Sequence, residues 1–208
     1  MNQLLLRRRV AASKSLPYDA EIEYLECTGT QWIDTGVTID TETDKVIARF
    51  MRSSSNSYYE TIFGVSENIG GIIYFEVRKN RNTINYQYLR PNRNGGTSTS
   101  TIDNVQNGYW HNIEVSKDIF IIDESTINVS TGNVQFTNNM YLFGRNNNGS
   151  FALPFYGKIS LFQVVRNNNM LIDYIPVRIG TTGYMYDKVS GQLFGNAGTD
   201  SFILGSDI

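Results

Sequence analysis

After residue 17 no useful length of this chain repeats its apolar residues at the 3.6-residue spacing of a helix. Short apolar runs recur instead, about every 8–12 residues, and each is closed by Asn or Gly. The last third makes the pattern plain: Met140-Tyr-Leu-Phe-Gly-Arg145, Pro154-Phe-Tyr-Gly-Lys-Ile-Ser-Leu-Phe162 and Tyr186-Asp-Lys-Val-Ser-Gly-Gln-Leu-Phe-Gly-Asn196. About a dozen strands follow from Glu21 onward, a number that indicates a sandwich or barrel. Lys45–Met51 places Val46, Ala48 and Phe50 on one face, and 71–77 pairs with 83–89 as a hairpin across Arg78–Asn82. Turns are expected at Asn107-Gly108, at Asn148-Gly149 and at the two Arg-Asn-Asn-Asn segments, 145–148 and 166–169, because Asn tolerates the left-handed conformation. Pro91–Ser100 reads as a polar loop.

A chain of 208 residues suits one large all-β domain, which can bury roughly 70% of its unfolded surface without a staple. Cys27 is the one cysteine, so no intrachain disulfide forms. Lys and Arg number 18 against 20 acidic residues, which gives no bulk electrostatic attraction for nucleic acid, and no run of 18 apolar residues spans a membrane. The charge is uneven only at the start. Residues 1–14 carry Arg7, Arg8, Arg9 and Lys14 with no acid, and Leu4, Leu5 and Leu6 precede the arginines. That order is the reverse of a secretory signal, so export by that route is not expected. Residues 1–17 read as a basic anchoring arm and 18–208 as the β-domain, with a β tail over 183–208.

Four segments resemble, in order and spacing, the laminin-G-like, concanavalin A-like jelly roll. They are Gly29-Thr-Gln-Trp-Ile-Asp-Thr-Gly36, Gly108-Tyr-Trp-His-Asn-Ile-Glu-Val115, Leu142-Phe-Gly144 and Phe155-Tyr-Gly-Lys-Ile-Ser-Leu-Phe162. The resemblance covers residues 22 to about 180 and implies an antiparallel two-sheet sandwich. The tail from Gly183 to Gly198, with the opening Leu-Leu-Leu-Arg-Arg-Arg, is similar to domains of gut Bacteroidetes and their phages. It implies a non-enzymatic virion protein, a capsid decoration or fibre component. Leu4–Leu6 and Arg7–Arg9 would then dock it onto the major capsid or another virion protein. The alternative is a lectin-like glycan-binding module of a bacterial surface or phage adhesion protein. The two overlap, since a decoration protein can also hold host-surface glycan. A closed homo-oligomer is compatible with either.

Candidate chemistry is sparse. Glycoside hydrolysis needs two carboxylates across the scissile bond. Glu21 and Glu23 share a strand face, but position 25 is Leu and Glu26 points away; Asp123 and Glu124 are adjacent and so opposed. His111 and Cys27 could form a thiol dyad, against the reading of His111 as an imidazole on a strand surface. Asp40, Glu42 and Asp44 form one acidic turn, expected to be solvated rather than calcium-bearing. No cofactor and no metal is expected. Trp32 and Trp110 are expected in the core. Tyr58 and Tyr59, after Ser53-Ser-Ser-Asn-Ser57, are the candidate glycan contacts with Asn56: an aromatic face for a sugar ring beside hydrogen-bonding groups.

Overall fold

The computed structural model describes residues 16–53, 59–68, 72–80, 83–89, 97–102, 107–128 and 133–208. Among them are nineteen strands and no helix. The first seven are β1 (Ala20–Glu21), β2 (Leu25–Thr28), β3 (Ile33–Asp40), β4 (Asp44–Arg52), β5 (Tyr59–Asn68), β6 (Ile72–Asn80) and β7 (Thr83–Leu89). The middle of the chain supplies β8 (Thr97–Ile102), β9 (Trp110–Val115), β10 (Ile119–Ile122), β11 (Ser125–Asn128), β12 (Gln135–Leu142), β13 (Arg145–Asn147) and β14 (Ser150–Ala152). The last five are β15 (Tyr156–Arg166), β16 (Asn169–Ile179), β17 (Thr182–Asp187), β18 (Leu193–Phe194) and β19 (Ile203–Leu204).

They form two sheets. The larger runs β11-β10-β9-β4-β15-β16-β17-β18, with β1, β2 and β19 joined to its middle. The smaller runs β14-β13-β5-β6-β7-β8 and carries β12 and β3 beside β5. Alternation fixes which face is buried: β4 turns Val46, Ala48 and Phe50 inward, as its sequence dictates. The inner faces meet in one apolar cluster. Phe63 of β5 meets Phe162 of β15 edge-on at 5.5 Å, and the Tyr174 hydroxyl of β16 donates to the Thr35 carbonyl of β3 at 2.8 Å. This is the expected all-β two-sheet sandwich.

Turn chemistry sets the registers. Asn148 (φ 52°) and Gly149 (φ 90°) close β13 onto β14, and Asn167 (φ 50°) and Asn168 (φ 63°) close β15 onto β16. Positive φ at both central residues matches the twist of the strands they join. Two expectations change. Arg145–Asn147 is strand rather than turn and lies parallel to β5, so only Asn148-Gly149 does the turning there. Thr97–Ser100, read as loop, belongs to β8, which pairs with β7 at the sheet edge. Its Thr/Ser run carries no apolar alternation to announce a strand.

Candidate functional site

β15 is the strand from which the site is built. One edge pairs with β4 along almost its whole length, while the other is shared: Tyr156–Ile159 pair with β2, and Phe162–Arg166 with β16. Ser160 and Leu161 fall between the two partners. β16 shows the matching gap. Its pairing to β15 ends at Tyr174, and it meets β1 only from Val177, leaving Ile175 and Pro176 between. Pro176 has no N–H to donate, which suits a position where the sheet opens, and its carbonyl accepts the Ile22 N–H at 3.0 Å. The larger sheet is therefore split, and β1–β2 wedge into the split from one side. The β15–β4 ladder slips between Ile159 and Leu161, a bulge centred on Ser160. Bulges re-aim side chains and often lie beside functional sites.

The split forms an open depression of about 560 Å³ on the outer face of the larger sheet. Ile22, Leu161, Ile175 and Pro176 give it an apolar lining, and Tyr24 and Trp110 supply aromatic walls. Their ring centroids are 6.1 Å apart. The Arg49 guanidinium lies 4.7 Å above the Trp110 ring, and Lys158 Nζ lies 4.0 Å from the centre of the Tyr24 ring. Glu21 and Glu23 line the same depression. Glu21 accepts the Tyr18 hydroxyl at 2.9 Å, and Glu23 accepts the Ser206 amide at 3.3 Å. The Ser160 hydroxyl is buried there without a hydrogen-bond partner. A buried polar group normally has one, so an unmatched hydroxyl in a depression is a point where a ligand would gain.

Of the residues expected to anchor the chain or to contact a glycan, Tyr59 alone is among the described residues. Leu4–Leu6, Arg7–Arg9, Asn56 and Tyr58 lie outside the described residues. Tyr59 is 37% exposed, with the Arg78 guanidinium 4.5 Å over its ring, so a cation already stacks there. Neither tryptophan is in the core. Both are half-buried: Trp110 sits in an outward register position of β9, in the depression, and Trp32, just before β3, lies against Tyr141 (4.2 Å) and Phe151 (5.5 Å). His111, next along β9, consequently points inward. It is buried beside Phe50, with Nδ1 2.7 Å from Asp123 Oδ2.

Cys27 is not arranged as a nucleophile. Its thiol donates to the Gln31 carbonyl at 3.1 Å, and burial pushes its pKa up to about 11 from an ordinary 9.0. Two outcomes follow. Ellman's reagent at pH 8 should react with Cys27 only after unfolding. Stability should also fall between pH 9 and 11, because there the unfolded thiol releases its proton and the folded one retains it. Urea melts of the wild type and Cys27→Ala across that range would isolate the contribution.

The acidic turn is solvated at Glu42 but not at Asp44. Asp44 is buried and takes two 2.7 Å bonds from Arg166, and Glu42 pairs with Lys117. Among the described residues no group of three or more His, Cys, Asp or Glu could hold a metal.

No protein-family model matches the sequence, and a comparison with curated proteins returns no match. Solved structures do match in fold. A Bacteroides ovatus protein named for carbohydrate binding superposes with a TM-score of 0.60 at 12% identity, over 89% of this chain. The chain spans only 60% of the length of that protein. The CBM40 of the Ruminococcus gnavus IT-sialidase, bound to α2,3-sialyllactose, superposes with a TM-score of 0.54 at 16% identity. That match covers 72% of this chain and 91% of the module. At these identities the likeness is one of fold: a jelly-roll sandwich of the lectin-like kind.

Proposed function

We propose that this chain is a glycan-binding module and that the depression at the split sheet is its binding site. The observation that carries the reading is the make-up of that depression. Aromatic walls and apolar residues lie beside two carboxylates, a guanidinium and an unpartnered hydroxyl. A sugar ring offers the complement, an apolar C–H face and a rim of hydroxyls. The fold is one that also serves proteins named for carbohydrate binding, which agrees with the reading without carrying it.

Trp110→Ala tests it. An aromatic anchor in a binding depression is worth about 2 kcal/mol or more, so affinity should fall on the order of 30-fold. Titration of a hit from a glycan array, followed by NMR, measures this, and the far-UV spectrum should stay unchanged. Tyr59→Ala is the competing variant. If it abolishes binding and Trp110→Ala does not, the site lies on the smaller sheet and this assignment fails.

The setting is a separate proposal: display on a phage particle, with Leu4–Arg9 docking onto a capsid or other virion protein. It rests on the apolar-then-cationic opening of the chain and on no contact in the fold. Mass spectrometry of purified particles should find the protein at fixed stoichiometry to the major capsid protein. A chain lacking residues 2–17 should be lost from them; its retention removes the arm from the account.

A further inference from the structure

We infer that the depression selects uncharged sugar residues and discriminates against acidic ones such as sialic and uronic acids. The inference rests on the reading of this depression as a glycan site. It deepens that reading by naming the ligand class.

The charges decide it. Among the described residues that line the depression, Glu21 and Glu23 oppose one cation, Arg49. Arg49 is held over the Trp110 ring at 4.7 Å, on the aromatic wall. Lys158, the next cation, lies over Tyr24 and within 3.7 Å of Glu26, so its charge is already matched. An anionic sugar entering this space meets two carboxylates with one guanidinium to offset them. Like-charge juxtaposition of that kind excludes wrong partners more effectively than it weakens right ones.

The hydrogen-bonding inventory agrees. The Tyr18 hydroxyl donates to one oxygen of Glu21 and the Ser206 amide to one oxygen of Glu23, which orients the carboxylates. A carboxylate has about four acceptor sites, so each keeps capacity for a ligand hydroxyl, and an ionised carboxylate can only accept. A neutral pyranose presents only hydroxyls to these acceptors; an acidic sugar keeps hydroxyl donors but adds a carboxylate, which can only accept and finds no donor in Glu21 or Glu23. The unpartnered Ser160 hydroxyl can donate or accept, and so pairs with a sugar hydroxyl of either orientation.

A broad array printed with neutral, sialylated, uronate and sulfated glycans tests this, read with the wild type, Trp110→Ala and the double variant Glu21→Gln/Glu23→Gln. Gln keeps an acceptor for Tyr18 and Ser206, so the double variant preserves the wall while removing both charges. Neutral glycans should make up the hits, each at least about tenfold stronger than its acidic counterpart. The double variant should bring matched pairs to within about threefold. Acidic glycans dominating the wild-type hits, in a manner sensitive to Trp110→Ala, would overturn the inference and leave the site assignment standing. Neutral preference that survives unchanged in the double variant would overturn it as well, since the carboxylates would not be its source. No hits, or hits indifferent to Trp110→Ala, would sink the site assignment and this inference together.

Discussion

Phe162→Ala should destabilise the protein by about 3–5 kcal/mol, a large part of the 5–15 kcal/mol by which a domain exceeds its unfolded state. Phe162 is fully buried on β15, where β4 pairs on one side and β16 on the other. Its ring meets Phe63 of the opposite sheet edge-on at 5.5 Å and Tyr174 of its own sheet at 6.2 Å. Truncation removes both contacts. It leaves a cavity that two hydrogen-bonded neighbour strands prevent from collapsing, which places the cost near the top of the usual range. Urea unfolding should show a lower midpoint at an unchanged slope. Ile119→Ala is the control: Ile119 is 37% exposed and should shift stability by no more than about 0.5 kcal/mol. A shift below about 1 kcal/mol for Phe162→Ala would mean that the sheets are not joined as described.

Glu76→Ala should cost about 3 kcal/mol by a different route. The Glu76 carboxylate is wholly buried on β6 and accepts from Thr61 at 3.0 Å, Arg78 at 3.1 Å and Arg145 at 3.4 Å. Removing it takes away the carboxylate that the Arg78 and Arg145 guanidiniums share. Their side chains keep 17% and 13% exposure, so some hydration softens the penalty and holds it at the low end for a broken buried pair. The diagnostic comparison is the triple replacement of Glu76, Arg78 and Arg145 by apolar residues of similar volume. It should recover most of the loss, because desolvation of all three charges is then avoided. A triple variant as unstable as Glu76→Ala would show that packing, and not charge, is at stake.

The elements a reader can find in the sequence are those set by local chemistry. The alternation of Val46, Ala48 and Phe50, the 72–80/83–89 hairpin and the Asn-rich turns depend on residues a few positions apart. The depression does not. It joins residues from 21–24, 49, 110, 160–161, 175–176 and 208, brought together by a split in the sheet and a one-residue bulge that nothing around Ser160 announces. Trp110 and His111 show the difference most clearly. Their adjacency makes one face inward and one outward, but which does which depends on the register of β9 against β4. Aromatic size favours burying Trp110; the ladder buries His111 instead and gives it Asp123. Glu21 and Glu23, by contrast, do share one destination, as their spacing implies, although Ile22 between them leaves strand β1 to bridge Asp207.

The wedge that holds the split open also dictates when it can form. β1 pairs with β16, β2 with β15 and β19, and Ile22 with Asp207, so every partner of the opening strands lies at the far end of the sequence. A ribosome delivers those partners long after residues 20–28 have emerged. Until then Tyr24 and the two glutamates have no wall to complete, and the strand edges of residues 20–28 stand open to mispairing. Closing so long a loop is also the slowest kind of contact to make. The depression thus doubles as a receipt for synthesis: a nascent or clipped chain that lacks β15 to β19 lacks the walls contributed by Ser160, Leu161, Ile175 and Pro176, and it cannot display the depression.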